Sequence, residues 1–115
     1  MAYIPRQGDI VKMNFNPAKG HEQKGSSRPA IVVSNASFNK FARGVAIVCP
    51  ITNSDRGISL HTRLDGRMQT TGVIMTDQVK ALDLTERNAE FIEQIPIDIL
   101  AEVCDIVSGY SDMDK

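Results

Sequence analysis

The chain has 115 residues, a formal net charge of −1 and a hydrophobic content of 42%. This length favours a single domain over residues 1–115, with its site in a surface groove or at a subunit interface. The composition argues against disorder and repeats, and no apolar run approaches the ~20 residues of a membrane span. With no apolar leader, the two distant cysteines Cys49 and Cys104 indicate a cytoplasmic protein with reduced, buried thiols.

The charges are divided unevenly along the chain. Residues 1–80 carry 11 Lys and Arg against 5 Asp and Glu, whereas residues 81–115 carry 2 against 9. A basic body of this kind suits an anionic partner. A solvated acidic face on a C-terminal helix would give the same numbers, so charge alone leaves both interpretations open.

Alternation of apolar and polar residues at 8–15 and 58–64, together with short apolar runs at 29–34 and 44–51, predicts a series of short strands. In chain order they cover residues 8–15, 29–34, 44–51, 58–64, 72–80 and 89–95. Asn35 is a candidate N-cap for a brief helical turn after the second strand. Asp65 and Gly66 mark a turn after the fourth. The polar stretches 16–28, 52–57 and 76–80 lie at strand ends and hold most of the candidate functional side chains.

The last element has a different period. Pro96 stands at a first helical position, and Ile97, Leu100 and Val107 belong to an apolar stripe with spacings of three and four. We expect that stripe to pack on the sheet or at a dimer edge, with Gly109 ending the helix. Sequential strands without helical crossovers predict a mainly β protein, an antiparallel barrel-like sheet followed by a C-terminal helix.

Several motifs resemble those of the MazF/PemK-type toxins and follow in the same order. They are residues 8–11 (GDIV), 16–23 (NPAKGHEQ), 28–34 (RPAIVVS), 50–52 (PIT) and 72–79 (GVIMTDQV). The resemblance runs from about residue 8 to the final helix. It implies an SH3-like antiparallel barrel of the CcdB/PemK type, a homodimer, and a cognate antitoxin whose disordered tail binds in the RNA groove.

The same resemblance implies a sequence-specific endoribonuclease that cleaves single-stranded mRNA without ribosome, metal or other cofactor. Attack by the 2′-OH would leave 2′,3′-cyclic phosphate and 5′-OH ends. Such cleavage needs a base near the hydroxyl, a cation on the phosphorane and an acid for the leaving oxygen. Arg28 fits the cation role, because guanidinium stays charged and pairs bidentately with phosphate, and the resemblance places a catalytic arginine there.

The remaining catalytic candidates are less distinctive. Thr52 matches a threonine that follows Pro-Ile in the family, although a threonine at a strand end is more often a turn or cap residue. His21 and Glu22 compete for an acid–base or substrate-binding role, since His21 titrates near neutral pH and the two branches of the family favour different residues here.

Other polar residues are candidates for RNA binding, although each alone could be a solvated charge. They are Lys19, Gln23, Lys24, Asn53, Arg56, Asp77, Gln78 and Lys80. Asp77 matches an aspartate that PemK-like members pair with an arginine two residues earlier, where this chain has Met75. We therefore expect Asp77 to contact bases or brace the groove, His61 to be structural or peripheral, and Phe15 to be a core residue.

Two other classes of function remain open. A toxin of the related CcdB type has the same barrel and binds DNA gyrase without cutting RNA. An inactive interaction module would also fit, and Met75 in place of arginine gives it some support. Capture of gyrase without RNA cleavage would favour the first, and cleavage by metal-free protein would exclude the second.

Overall fold

In the computed structural model, the described residues are 3–15, 27–54, 57 and 60–114. They form the following elements: β1 (Asp9–Asn14), β2 (Ser27–Val32), α1 (Ala36–Phe41), β3 (Val45–Thr52), β4 (Thr62–Arg63), β5 (Val73–Ile74), a 3-10 turn (Thr76–Gln78), β6 (Lys80–Asp83), β7 (Glu90–Gln94) and α2 (Ile97–Gly109). The predicted loop at 16–27 lies outside this range except for Ser27, which begins β2.

The long strand β3 organises the sheet. One edge of β3 pairs with β2, and the other edge pairs first with β6 and then with β5, which in turn pairs with β4. β1 lies between β2 and β7, with a bulge at Ile10 and Val11. Every pairing is antiparallel, and the strands form a half-barrel followed by a C-terminal helix. The predicted fold class is therefore confirmed.

Alternation along the strands builds a core on each side of the sheet. One cluster includes Ile31, Cys49 and Ile74 and receives Leu100 and Val103 from α2. The second cluster lies on the other face and includes these buried residues: Val11, Met13, Ala30, Val32, Ala46, Val48 and Leu84. Strands β1 to β3 are thus buried on both faces, which fixes their register.

Both helices are found close to where the sequence predicts them. The side chain of Asn35 caps α1 by accepting a hydrogen bond from the Phe38 amide at 2.9 Å. The helix α2 begins at Ile97, one residue later than predicted, with Pro96 at the N-cap. Ile97 is 78% exposed, so it does not pack on the sheet, and its alternative place at a dimer edge stays a prediction. As the first helical residue, it lies roughly a quarter turn from the buried stripe.

Two predicted strands are shorter than their sequence patterns suggest. Within the described part of 58–64, only Thr62–Arg63 forms a strand. The predicted strand at 72–80 is broken by the 3-10 turn. The strand breaks here because the Thr76 hydroxyl points inward and donates a hydrogen bond to the carbonyl of Leu60. On either side of the break, β5 and β6 pair with different halves of β3.

Candidate functional site

Arg28 and Thr52 lie at neighbouring strand ends. In the β2–β3 pair, Ala30 stands opposite Pro50. Extending this antiparallel register by two residues sets Arg28 opposite Thr52, where β2 begins and β3 ends. The structure therefore places the two catalytic candidates at one edge of the sheet.

The side chains of these two residues are available for a ligand. Arg28 is exposed, and among the described residues no carboxylate pairs with it, which disfavours a purely structural ion pair. The Thr52 hydroxyl accepts a hydrogen bond from the Ser54 amide at 3.1 Å. Its oxygen thus caps the turn, which is one of the two roles considered from the sequence. Its own proton has no acceptor among the described residues and can be donated to an anion.

A basic and aromatic contact lies on the same face as this pair. Val48 points into the second core cluster, and Thr52, four residues later, shares its face. Lys80 stands opposite Val48 and therefore points to that face too, with its ammonium 5.6 Å from the centre of the Phe15 ring. Phe15 is partly buried against the cluster. It is thus a core-edge residue that presents a ring to a cation.

Asp77 and Gln78 lie in the 3-10 turn, and both are exposed. The turn follows Met75, whose amide donates to the Pro50 carbonyl at 2.8 Å. It is therefore anchored two residues before the end of β3, and it packs against α2. The structure consequently divides the described candidates into two groups, one at the strand ends and one in this turn.

His61 contacts the second group. Its Nε2 lies 3.0 Å from Asp77 Oδ1, and its side chain is only 5% exposed. The sequence predicts only a structural or peripheral role for His61, and no motif in it indicates this contact. The signal available was the expected pairing of the strands at 58–64 and 72–80, because an antiparallel pairing brings residue 61 close to residue 75.

Asn53 links the strand end to the segment before β5. Its Oδ1 accepts a hydrogen bond from the Thr71 hydroxyl at 2.9 Å. Six other candidates lie outside the described residues, so their positions stay predictions: Lys19, His21, Glu22, Gln23, Lys24 and Arg56.

Burial controls the chemistry of the two free cysteines. It raises the pKa of the Cys49 thiol to about 12, with smaller contributions from Cys104 and from the negative charge of Asp77. Burial also raises the pKa of Cys104. Cys49 is buried as predicted, whereas Cys104 is only half-buried, because it lies at the margin of the α2 packing stripe.

The sequence matches a family described as PemK-like, MazF-like toxins of type II toxin–antitoxin systems over residues 6–108. The chain belongs to this toxin family. It is 36% identical to the endoribonuclease PemK of Escherichia coli, in an alignment that covers 84% of this chain and 74% of PemK. The motif resemblance found in the sequence is thereby confirmed.

Solved MazF structures agree with this assignment. A crystal structure of MazF from Deinococcus radiodurans superimposes with a TM-score of 0.81 at 36% identity, over 95% of this chain and 97% of that one. A MazE–MazF crystal structure from the same organism also gives 0.81, at 31% identity, over 98% and 100% of the two chains. In the described part of this PemK/MazF-type chain, neither helix is long and apolar enough to cross a membrane.

Proposed function

We propose that this chain is a sequence-specific endoribonuclease toxin that cuts single-stranded mRNA in the cytoplasm. The observation that carries the proposal is the exposed Arg28, which pairs with no carboxylate of the described residues and stands opposite Thr52 at one sheet edge, in a member of the PemK/MazF family. Residues 1–115 would form one toxin domain. Neither ribosome nor metal ion would be needed.

The chemistry follows from what the two side chains can do. The 2′-OH attacks the adjacent phosphorus, the bond from phosphorus to the 5′-oxygen breaks, and a 2′,3′-cyclic phosphate and a 5′-OH end remain. Arg28 stabilises the extra negative charge of the phosphorane, and the Thr52 hydroxyl donates to one of its oxygens. His21 and Glu22 are the candidates for removing the 2′-OH proton and protonating the leaving oxygen.

RNA binding would extend from this pair in both directions. Lys80 and the Phe15 ring offer a cation and a stacking surface on the same face, and Asn53 lies beside Thr52. Asp77 and Gln78, in the 3-10 turn anchored to β3, can hydrogen-bond to RNA bases that lie next to that turn. The lysines and arginine outside the described residues would add phosphate contacts, so binding should weaken with salt.

Two macromolecular partners are part of the proposal. A cognate antitoxin would place a disordered tail in the RNA groove, in keeping with the MazE–MazF complex among the similar structures. A second copy of the chain would form a homodimer, because a small half-barrel lines a long substrate better when two copies face each other. Sedimentation at micromolar concentration tests the dimer, and a monomer alone would contradict it.

A digest of long single-stranded RNA in EDTA tests the nuclease. We expect discrete cuts with cyclic phosphate and 5′-OH ends, and a loss of about 10²-fold or more with Arg28→Ala, because one transition-state charge contact is removed. Arg28→Lys should retain part of the cleavage rate, since lysine keeps the positive charge but cannot pair bidentately with phosphate. Lys40→Ala, which removes a positive charge from exposed α1, is the control and should cut normally.

The outcomes separate the competing functions. Equal cutting by wild type and Arg28→Ala would show that the proposed site is wrong. Absence of cutting by folded wild type would remove the nuclease proposal altogether. Capture of DNA gyrase by that protein would then favour a binding toxin, and lack of capture would favour an inactive module.

A further inference from the structure

His61 has a buried side chain that makes one polar contact with the described residues. Its side chain is 5% exposed, while that of its partner Asp77 is 37% exposed. The other ring nitrogen, Nδ1, is also buried, and among the described residues no group hydrogen-bonds to it. A purely packing role for His61 does not explain why its ring contacts an exposed carboxylate. The contact with Asp77 therefore points to a further role.

The surrounding contacts hold this pair in place. Thr76, the residue before Asp77, is fully buried. Its hydroxyl donates a hydrogen bond to the carbonyl of Leu60, the residue before His61. The same hydroxyl is also hydrogen-bonded to the hydroxyl of Tyr110, at the end of α2, at 3.0 Å. Two consecutive residues of the 3-10 turn are thus joined to two consecutive residues before β4. The carboxylate and the ring therefore have little freedom to separate.

The hydrogen-bond geometry favours one arrangement of the ring proton. Nδ1 has no acceptor in the described structure, and a buried N–H without an acceptor loses the free energy of its hydrogen bonds to water. We therefore expect the proton of a neutral His61 ring on Nε2, donating to Asp77 Oδ1. Asp77 Oδ2 has no hydrogen-bond partner among the described residues and remains available at the surface.

We infer that His61 is the positioning residue of Asp77, holding one carboxylate oxygen so that the other is presented to donor groups of an RNA base. The inference rests on the proposed nuclease function and extends it to base preference. Met75, two residues before Asp77, has an apolar side chain and cannot hold a carboxylate, so this role falls to His61. A fixed carboxylate accepts hydrogen bonds only from base donors such as amino groups.

The pair can be tested without any RNA. The nitrogen-15 chemical shifts of the histidine rings report which ring nitrogen carries a proton. For His61, Nε2 should have the shift of a protonated nitrogen, and Nδ1 should have that of an unprotonated nitrogen. Asp77→Ala should alter this signal. A protonated Nδ1 with a bare Nε2 would overturn the inference, as would a signal that does not respond to Asp77→Ala.

Two substitutions at His61 separate positioning from packing. His61→Gln keeps a donor near the Nε2 position, whereas His61→Leu fills the space with an apolar group. A packing role predicts that Leu is tolerated at least as well as Gln in stability and in cleavage. A positioning role predicts that Gln retains the cleavage preference, while Leu lowers the ratio of cutting at the preferred motif to cutting at single-base variants by about tenfold.

Control variants make the result specific. Thr62→Val changes the next residue, whose buried hydroxyl has no hydrogen-bond partner among the described residues, and should leave stability equal or higher and preference unchanged. In an Asp77→Ala background, His61→Leu should have no further effect on preference. Cutting by wild type with full preference in His61→Leu would overturn this inference alone. A wild type that does not cut would overturn the proposed function and this role with it.

Discussion

Gly72 offers the sharpest test of how the fold positions Thr52. Its φ is +116°, a backbone conformation that residues with side chains rarely adopt. A Cβ at this position would lie 2.8 Å from the carbonyl carbon of Thr52 and closer still to its oxygen. Ordinary contact begins at 3.4 Å, so Gly72→Ala must separate β3 and β5 by at least 0.6 Å.

The expected cost has two parts. Holding alanine in an unfavourable backbone conformation costs about 1–3 kcal/mol, and overpacking against backbone costs about 1–3 kcal/mol more. We therefore expect Gly72→Ala to lower the free energy of unfolding by about 2–6 kcal/mol. Under conditions where the variant is still folded, the displaced Thr52 should reduce RNA cleavage by about 10²-fold, since reacting groups tolerate little misplacement.

Urea unfolding followed by circular dichroism measures the first effect, and a single-turnover RNA cleavage assay measures the second. Gly66→Ala is the matched control, because no heavy atom lies within 4 Å of a Cβ there. Its stability should change by less than about 1 kcal/mol and its cleavage not at all. A Gly72→Ala protein as stable and as active as the Gly66→Ala control would refute this account of the β3–β5 contact.

Three further predictions concern stability and reactivity. Leu100→Ala should lower the free energy of unfolding by about 2–5 kcal/mol, because it opens a cavity between α2 and the sheet, and urea unfolding checks this. Burial raises the pKa of Glu93, but hydrogen bonds from Thr70 and from the Gln69 amide outweigh it and leave the pKa lowered from 4.5. Its contribution is therefore present above pH 4.5 and lost as the pH falls through the lower folded value, so the stability difference between wild type and Glu93→Gln should shrink below pH 4.5. At pH 8, a pKa of about 12 leaves about one Cys49 thiol in ten thousand ionised, so iodoacetamide should label half-buried Cys104 first in the native protein, as mass spectrometry would show.

The strand pattern could be predicted because it depends on neighbours in sequence. Alternation located β1, short apolar runs located β2 and β3, and Asn35 marked the start of α1. The break in the predicted strand at 72–80 could not be found in this way, because it depends on a hydrogen bond between Thr76 and Leu60, which are 16 residues apart. Local preference favoured an extended chain there, and a tertiary contact overrode it.

The candidate site, too, could be predicted from the sequence only in part. The order of strands β2 and β3 already implied that Arg28 and Thr52 meet at one edge, once the two strands were taken as antiparallel neighbours. The pairing of His61 with Asp77 needed the position of the 3-10 turn as well, and no motif in the sequence marks it. The family resemblance identified Asp77, whereas only the packed structure identified the residue that holds it.

The strand β3 connects the two groups of candidate residues mechanically. Thr52 ends the strand, and Pro50, two residues earlier, accepts the Met75 amide that anchors the 3-10 turn. Two residues of strand span about 7 Å, and β3 is paired on both edges and largely buried. The distance between the Thr52 end of β3, where we propose that phosphate binds, and the carboxylate of Asp77 is therefore set by the most constrained strand of the sheet. For a nuclease, that constancy fixes how far the cut lies from the base being read.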